Sequence, residues 1–227
     1  MDLAGATISL MDKVLPPLLK AAPDAIYILV TNPVDVVTYA AIKKSGMDPA
    51  QMFGSGTALD TSRLRHQIAA KCDVAVGNVH AYIAGEHGDS EVALWSSATI
   101  GGQLLTEWRG RDGEIVMTED VREQIHHDVM RSAYTIIEGK GATNYAVGAA
   151  GARIVEAVLG DQRRIMPVST LTTYPNVGEV CMSLPAVIGR NGIEHQAATP
   201  MDDSERAALE ASARSIRETA ERFGVGV

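Results

Sequence analysis

Apolar residues Ile8, Met11, Leu15 and Leu18 or Leu19 recur at steps of three and four, which predicts a helix over Thr7–Ala21 with one buried stripe. The run Ala25-Ile-Tyr-Ile-Leu-Val30 is wholly apolar and rich in β-branched residues, as suits a strand covered on both faces of a parallel sheet. Thr31-Asn32-Pro33 ends it, and Val34–Ser45 returns to helical spacing and closes at Gly46. Met52-Phe53 is a short strand, Gly54-Ser55-Gly56 a turn, and Thr57–Cys72 a further helix. This alternation of helix and strand is the rhythm of an open α/β sheet.

After His80 the pattern changes. His80–Gly85 and Glu91–Trp95 read as strands, followed by a glycine-rich hairpin at Gly101-Gly102. Helices are predicted over Thr118–Glu138 and Asn144–Leu159, and strands over Ile165–Thr172 and Val180–Gly189, with Asn191-Gly192 as a hairpin turn. The last helix starts at Asp202, where Glu205 completes a capping-box spacing. Its apolar stripe is Leu209, Ala213, Ile216, Ala220 and Phe223, and Gly224 stops it. Residues 1–56 therefore form an α/β part and residues 57–227 an α+β part, with the boundary near Gly56.

Composition narrows the function. Of 227 residues, 46% are hydrophobic and 21% charged, an ordinary globular balance. A formal charge of −8 argues against a nucleic-acid binder, which needs a basic face. Cys72 and Cys181 stand in no metal or redox spacing and read as two buried, reduced thiols. Asp2 sits where a signal peptide would be basic, and no apolar run is long enough to span a bilayer. A soluble, cytoplasmic protein is expected.

Three segments could carry chemistry. In Gly85-Glu86-His87-Gly88-Asp89 the flanking glycines leave His87 sterically open, with a ring that titrates near neutral pH. A solvated loop histidine fits those residues equally well, and no second ligand stands at metal-binding spacing, so no metal is expected. In the helix after Gly56, Asp60 and Arg63 are three apart and share a face, either in one pocket or as an exposed ion pair. Arg65 lies about 200° around that helix from Arg63, so the two arginines serve different surroundings. Thr31-Asn32-Pro33-Val34-Asp35 follows a buried strand, at the edge where open α/β sheets bind ligands. Asn32 could equally be a turn former before Pro33.

Taken in order, T-N-P-V-D, then G-S-G-T-x-L-D-T-x-R-x-R, then H-A-Y-I-x-G-E-H-G-D-S-E-V-A-L-W-S resemble the L-lactate dehydrogenase family of the lactate/malate dehydrogenase superfamily. Lys140-Gly-Ala-Thr143, Ser183-Leu-Pro185 and Ile188-Gly-Arg-Asn-Gly192 extend the match over essentially the whole chain. The resemblance implies the later part of a Rossmann-type parallel sheet followed by an α+β catalytic domain. It also implies an NAD-dependent enzyme that interconverts pyruvate and L-lactate by hydride transfer. His87 would be the acid/base, Asp60 the carboxylate that orients it, and Arg63 the guanidinium that grips the substrate carboxylate. Asn32 would reach substrate and cofactor, and Thr143 would line the substrate pocket. Lys13, Val30, Thr31, Asn32 and Ser55 match NAD contacts. Arg65 and His80 match a fructose 1,6-bisphosphate site at a subunit interface of a homotetramer.

The family's glycine-rich pyrophosphate loop, the acidic residue on the adenosine ribose and the mobile loop with a second arginine have no counterpart in these residues. The resemblance is thus to an enzyme without its first roughly ninety residues, at ~30 per β-α unit. Such a chain is expected to be inactive alone. The rival readings are a lactate-dehydrogenase-like malate dehydrogenase and a silent fragment that only contributes oligomer interfaces.

Overall fold

The computed structural model describes residues 3–141 and 144–226. Helix α1 (Leu3–Ala21) lays Ile8, Met11 and Leu15 into the core. Leu19 packs against that core while Leu18 stays exposed, which settles the alternative in the apolar stripe. Strand β1 (Tyr27–Leu29) pairs in parallel with β2 (Met52–Gly54), and α2 (Val34–Ser45) forms the crossover between them. Helix α2 is buried from Val34 to Ile42 and stops at Gly46, whose φ of +67° suits glycine.

Strand β1 corrects one expectation. It is shorter than the apolar run, and only Leu29 is fully buried. Val30, 48% exposed, lies beyond the last pairing and lines an open cleft.

Helix α3 (Ala58–Cys72) comes next, then β3 (Val79–His80), β4 (Ile83–Gly85) and β5 (Glu91–Ala93). The expected single strand His80–Gly85 is thus broken in two. At the break the Ala81 carbonyl accepts from Arg65 Nε at 2.8 Å and the Tyr82 carbonyl accepts from Leu94 N–H at 2.9 Å. Strand β3 therefore joins a small sheet with the hairpin β6 (Thr99–Ile100) and β7 (Gln103–Leu104), while β4 enters the main sheet. Helices α4 (Glu119–Lys140) and α5 (Tyr145–Leu159) lead to the long hairpin β8 (Arg164–Tyr174) and β9 (Gly178–Gly189). Strand β10 (Gly192–Gln196) turns back on β9, and α6 (Asp203–Arg222) closes the chain.

Among the described residues the main sheet runs β1-β2-β8-β9-β4-β5, with β10 on β9. One core joins α1, α2 and α6 to the sheet, and a second lies between α3, α4 and the strands around Ile83. A third packs Ile154 and Ala157 of α5 on Phe53, Val168 and Ile188. Helix α6 has its capping box, with Asp202 accepting from Glu205 N–H at 2.8 Å, and buries Leu209, Ala213, Ile216 and Ala220 completely. Both cysteines are buried and unbonded to each other. Among the described residues no helix is long and apolar enough to cross a membrane.

The turn at Gly56 brings the first parallel pair onto the later strands. Its φ is +50°, and a Cβ there would lie 2.4 Å from Ser183 Oγ and 2.5 Å from Ser169 N. Only glycine permits that approach. It delivers the N-terminus of α3 against the middle of the β8–β9 hairpin, where Ser169 pairs with Ser183.

Candidate active site

Hydrogen bonds fix α3 at its first turn. Thr57 N–H donates to Ser183 Oγ at 3.1 Å and Thr57 Oγ1 to the Ile83 carbonyl at 2.6 Å. Ile83 N–H donates to Thr61 Oγ1 at 2.8 Å. With α3 locked to β4, Asp60 points at the loop that leaves β4. Its Oδ2 lies 2.6 Å from His87 Nδ1, and its Oδ1 accepts from Arg63 Nη1 at 3.2 Å. The Asp60 side chain is 4% exposed, so the contact is no solvated ion pair. Both carboxylate oxygens are engaged, one by the ring and one by the guanidinium.

The loop carrying His87 is held from two further sides. His87 N–H donates to Asp35 Oδ2 on α2 at 2.7 Å. Glu86 N–H donates to Ser212 Oγ on α6 at 2.8 Å, and Ser90 Oγ lies 3.0 Å from the same hydroxyl. Neither Asp35 nor Ser212 had been assigned a role from sequence. The available signals were a lone carboxylate within the apolar run of α2 and a small polar residue within the apolar stripe of α6.

Electrostatics follow from this packing. Burial alone would lower the His87 pKa, but the hydrogen bond and charge of Asp60, reinforced by Asp35 and Glu91, raise it to about 9. Burial pushes Asp35 up to about 6, against the lowering effects of the Ser169 hydroxyl and the His87 N–H. Because Asp60 occupies Nδ1, the proton on Nε2 is the one left for exchange. Arg63 Nη2 is buried and has no hydrogen-bond partner. A buried unpaired guanidinium N–H costs free energy, and a carboxylate ligand would satisfy it.

A cleft opens beside His87. Val30, Leu59, Val147 and Ala150 give it apolar walls, and Asn32 and Ser55 supply polar groups. Asn32 and Ser55 therefore meet His87 in one place, at the carboxyl end of β1. Asp60 and Arg63 are not among the residues that line this cleft; Asp60 meets the ring at Nδ1 and Arg63 meets Asp60. Thr31 is exposed beside Asn32, and Lys13 is exposed on α1 outside the residues that line the cleft. Arg65 is directed elsewhere: its Nε donates to the Ala81 carbonyl, and its guanidinium lies 4.7 Å from the Tyr82 ring centroid. The exposed His80 neighbours that carbonyl in sequence. Thr143 lies outside the described residues.

Comparison with known proteins decides the family. Residues 57–223 match the lactate/malate dehydrogenase α/β C-terminal domain, and residues 1–54 match the NAD binding domain of the same family. The chain belongs to the lactate/malate dehydrogenase family. It is 53% identical over 225 residues to an L-lactate dehydrogenase of Bifidobacterium animalis subsp. lactis, covering 99% of this chain and 70% of that protein. An L-lactate dehydrogenase of Thermus aquaticus is 45% identical, covering 93% of this chain and 68% of that protein. A crystal structure of a lactate dehydrogenase enzyme from a Medee basin deep-sea metagenome library superposes with a TM-score of 0.93. Its identity is 34%, over 98% of this chain and 71% of that one.

As a member, the chain is an NAD-dependent 2-hydroxy acid oxidoreductase, on an α/β fold with the parallel pair read from the sequence. The chemistry of the cleft lining is compatible with the nicotinamide end of NAD. Apolar walls suit the faces of a planar ring, and Asn32 and Ser55 offer partners for its amide.

Proposed function

We propose that this chain carries the catalytic half of an L-lactate dehydrogenase, reducing pyruvate to L-lactate and running the reverse. The observation that supports it best is the Asp60–His87–Arg63 group with its unsatisfied buried Nη2. A 2-oxo monocarboxylate presents two features to such a site. Its carboxylate takes the place of the missing partner of Arg63, forming parallel hydrogen bonds that fix its orientation. Its keto oxygen then faces His87 Nε2, the ring nitrogen that Asp60 leaves free. NAD, when bound, supplies or accepts the hydride. In reduction, His87 gives its Nε2 proton to the keto oxygen as C2 becomes tetrahedral, and Asp60 stabilises the imidazolium until then. In oxidation, neutral His87 takes the hydroxyl proton.

Within this reading Asn32 spans substrate and nicotinamide. Val30, Thr31 and Ser55 hold the nicotinamide side, Lys13 touches NAD from α1, and Thr143 lines the substrate pocket. Residues 1–56 are the cofactor-facing part and residues 57–227 the catalytic part of a homotetramer subunit. Arg65 and His80, turned away from the Arg63 side, form an activating site for fructose 1,6-bisphosphate.

One experiment tests the substrate and the activator together, with the chain joined, here and in every turnover assay below, to a complete NAD binding domain of its family: steady-state turnover of pyruvate and of oxaloacetate with NADH, with and without fructose 1,6-bisphosphate. The expected result is higher kcat/KM for pyruvate, with a lower pyruvate KM when the bisphosphate is present. That activation should be lost in Arg65→Ala. Preference for oxaloacetate would move the chain to the malate branch, and activation that survives Arg65→Ala would remove the activator site.

A further inference from the structure

Glu91 is a buried carboxyl that the mechanism above leaves unused. It is 6% exposed on β5, and its Cα pairs with that of Gly85, next to the His87 loop. Side chains alternate along a strand. Val92 enters the core shared with Leu209 of α6, whereas Ala93 enters the core under α3 and α4. Glu91 is in phase with Ala93 and so faces α3 and α4, with α6 on the opposite side of the strand.

On that side its Oε1 lies 3.7 Å from His126 Nε2 of α4, and both atoms are buried without a hydrogen-bond partner. The charged groups around it are Asp60 and Arg63 on α3, His87 and Asp89 on the loop, and His126 on α4. A carboxylate with no hydrogen-bond partner for one oxygen is poorly tolerated in such a setting, and an adjacent carboxylate makes it worse. Burial and then the charge of Asp60 raise the Glu91 pKa well above the usual carboxylate range, while burial lowers that of His126. Burial thus favours the uncharged form of both members of the pair. With Glu91 protonated, the carboxylates that face Arg63 and His87 are Asp60 and, on the His87 N–H, Asp35, and Glu91 adds no further negative charge against an incoming anion.

We propose that Glu91 is a positioning residue of the substrate-carboxylate site, acting through the charge balance of the Asp60–Arg63–His87 group: protonated, it adds no negative charge there, and ionised, it adds one and weakens anion binding. The inference rests on the reading of Arg63 as the carboxylate partner. Binding of a 2-oxo acid analogue therefore needs protons on two groups, His87 and Glu91. A merely structural Glu91 would leave only the His87 proton in the profile.

The test is the dissociation constant of oxamate, with NADH bound, between about pH 6 and about pH 10, in the wild type, Glu91→Gln and Arg63→Lys. In the wild type the loss of affinity with rising pH should be steeper than one proton allows. It should exceed the loss in Glu91→Gln by about tenfold over that range, the weight of one pKa unit of coupling. Carbon-13 titration of the Glu91 carboxyl in the folded wild type reads the same group without a substitution, and its midpoint should stand well above 4.5, the ordinary glutamate value. Equal slopes in the wild type and Glu91→Gln, or an ordinary carboxyl midpoint, would overturn the proposal. Oxamate affinity indifferent to Arg63→Lys would instead overturn the carboxylate reading on which it rests.

Discussion

Replacing His87 with Gln is expected to lower kcat for pyruvate reduction about a thousandfold, within the range that a positioned acid/base supplies. Gln can still donate to Asp60 Oδ2, which now lies 2.6 Å from Nδ1, so the pocket keeps its shape and its charge partner keeps a hydrogen bond. It cannot deliver a proton from the position of Nε2. The loop is also fixed independently of the ring, through His87 N–H on Asp35 and Glu86 N–H on Ser212. The loss should therefore fall on kcat, with a moderate drop in melting temperature near neutral pH as well, because the protonated ring that Asp60 favours is gone. Parallel measurement of NADH oxidation and melting temperature checks it, and a loss under about tenfold would remove His87 from proton transfer.

The second large effect is at Arg63. Its Nη1 is committed to Asp60 and its Nη2 is buried and unpartnered, so in the proposed mechanism the planar guanidinium would join two carboxylates at once, that of the protein and that of the substrate. A lysine ammonium is a point charge on a flexible stem and cannot reproduce both contacts in fixed geometry. A hydrogen bond to a charged group contributes about 1.5–3 kcal/mol. Arg63→Lys should thus lower kcat/KM for pyruvate about a hundredfold, mostly through KM. Saturation kinetics separate the two constants. An unchanged KM would mean that the substrate carboxylate is held elsewhere.

Local signals in the sequence predicted local structure well. Gly46 ends α2, and Asp202 with Glu205 starts α6, because caps are short-range hydrogen bonds that a few residues specify. The pairing of Asp60 with Arg63 was legible for the same reason, since residues three apart share a helix face. That Asp60 orients His87 was read only from the family resemblance, and the contacts that hold the His87 loop in place were not legible at all. Asp35 meets His87 across 52 residues of sequence and Ser212 meets Glu86 across 126, contacts that exist only once α2 and α6 pack on the sheet. Apolar content likewise made Ala25–Val30 read as buried throughout, whereas Val30 belongs to the wall of a cleft. The segment His80–Gly85 read as one strand because its pattern is continuous; the crossing between two sheets is made by partners on α3 and after β5.

The most direct test of the coupling between Asp60 and His87 is the pH dependence of kcat/KM for pyruvate in the wild type and in Asp60→Asn. In the proposed mechanism reduction needs the imidazolium, so activity should be full at low pH and fall as pH rises through the His87 pKa. The hydrogen bond and charge of Asp60 hold that pKa near 9 against burial, which would lower it. Without that charge burial gains against the remaining carboxylates Asp35 and Glu91, and the midpoint in Asp60→Asn should drop clearly below that of the wild type. A midpoint that stays at the wild-type pH would contradict the account, because Asp60 would then not govern the proton that His87 delivers.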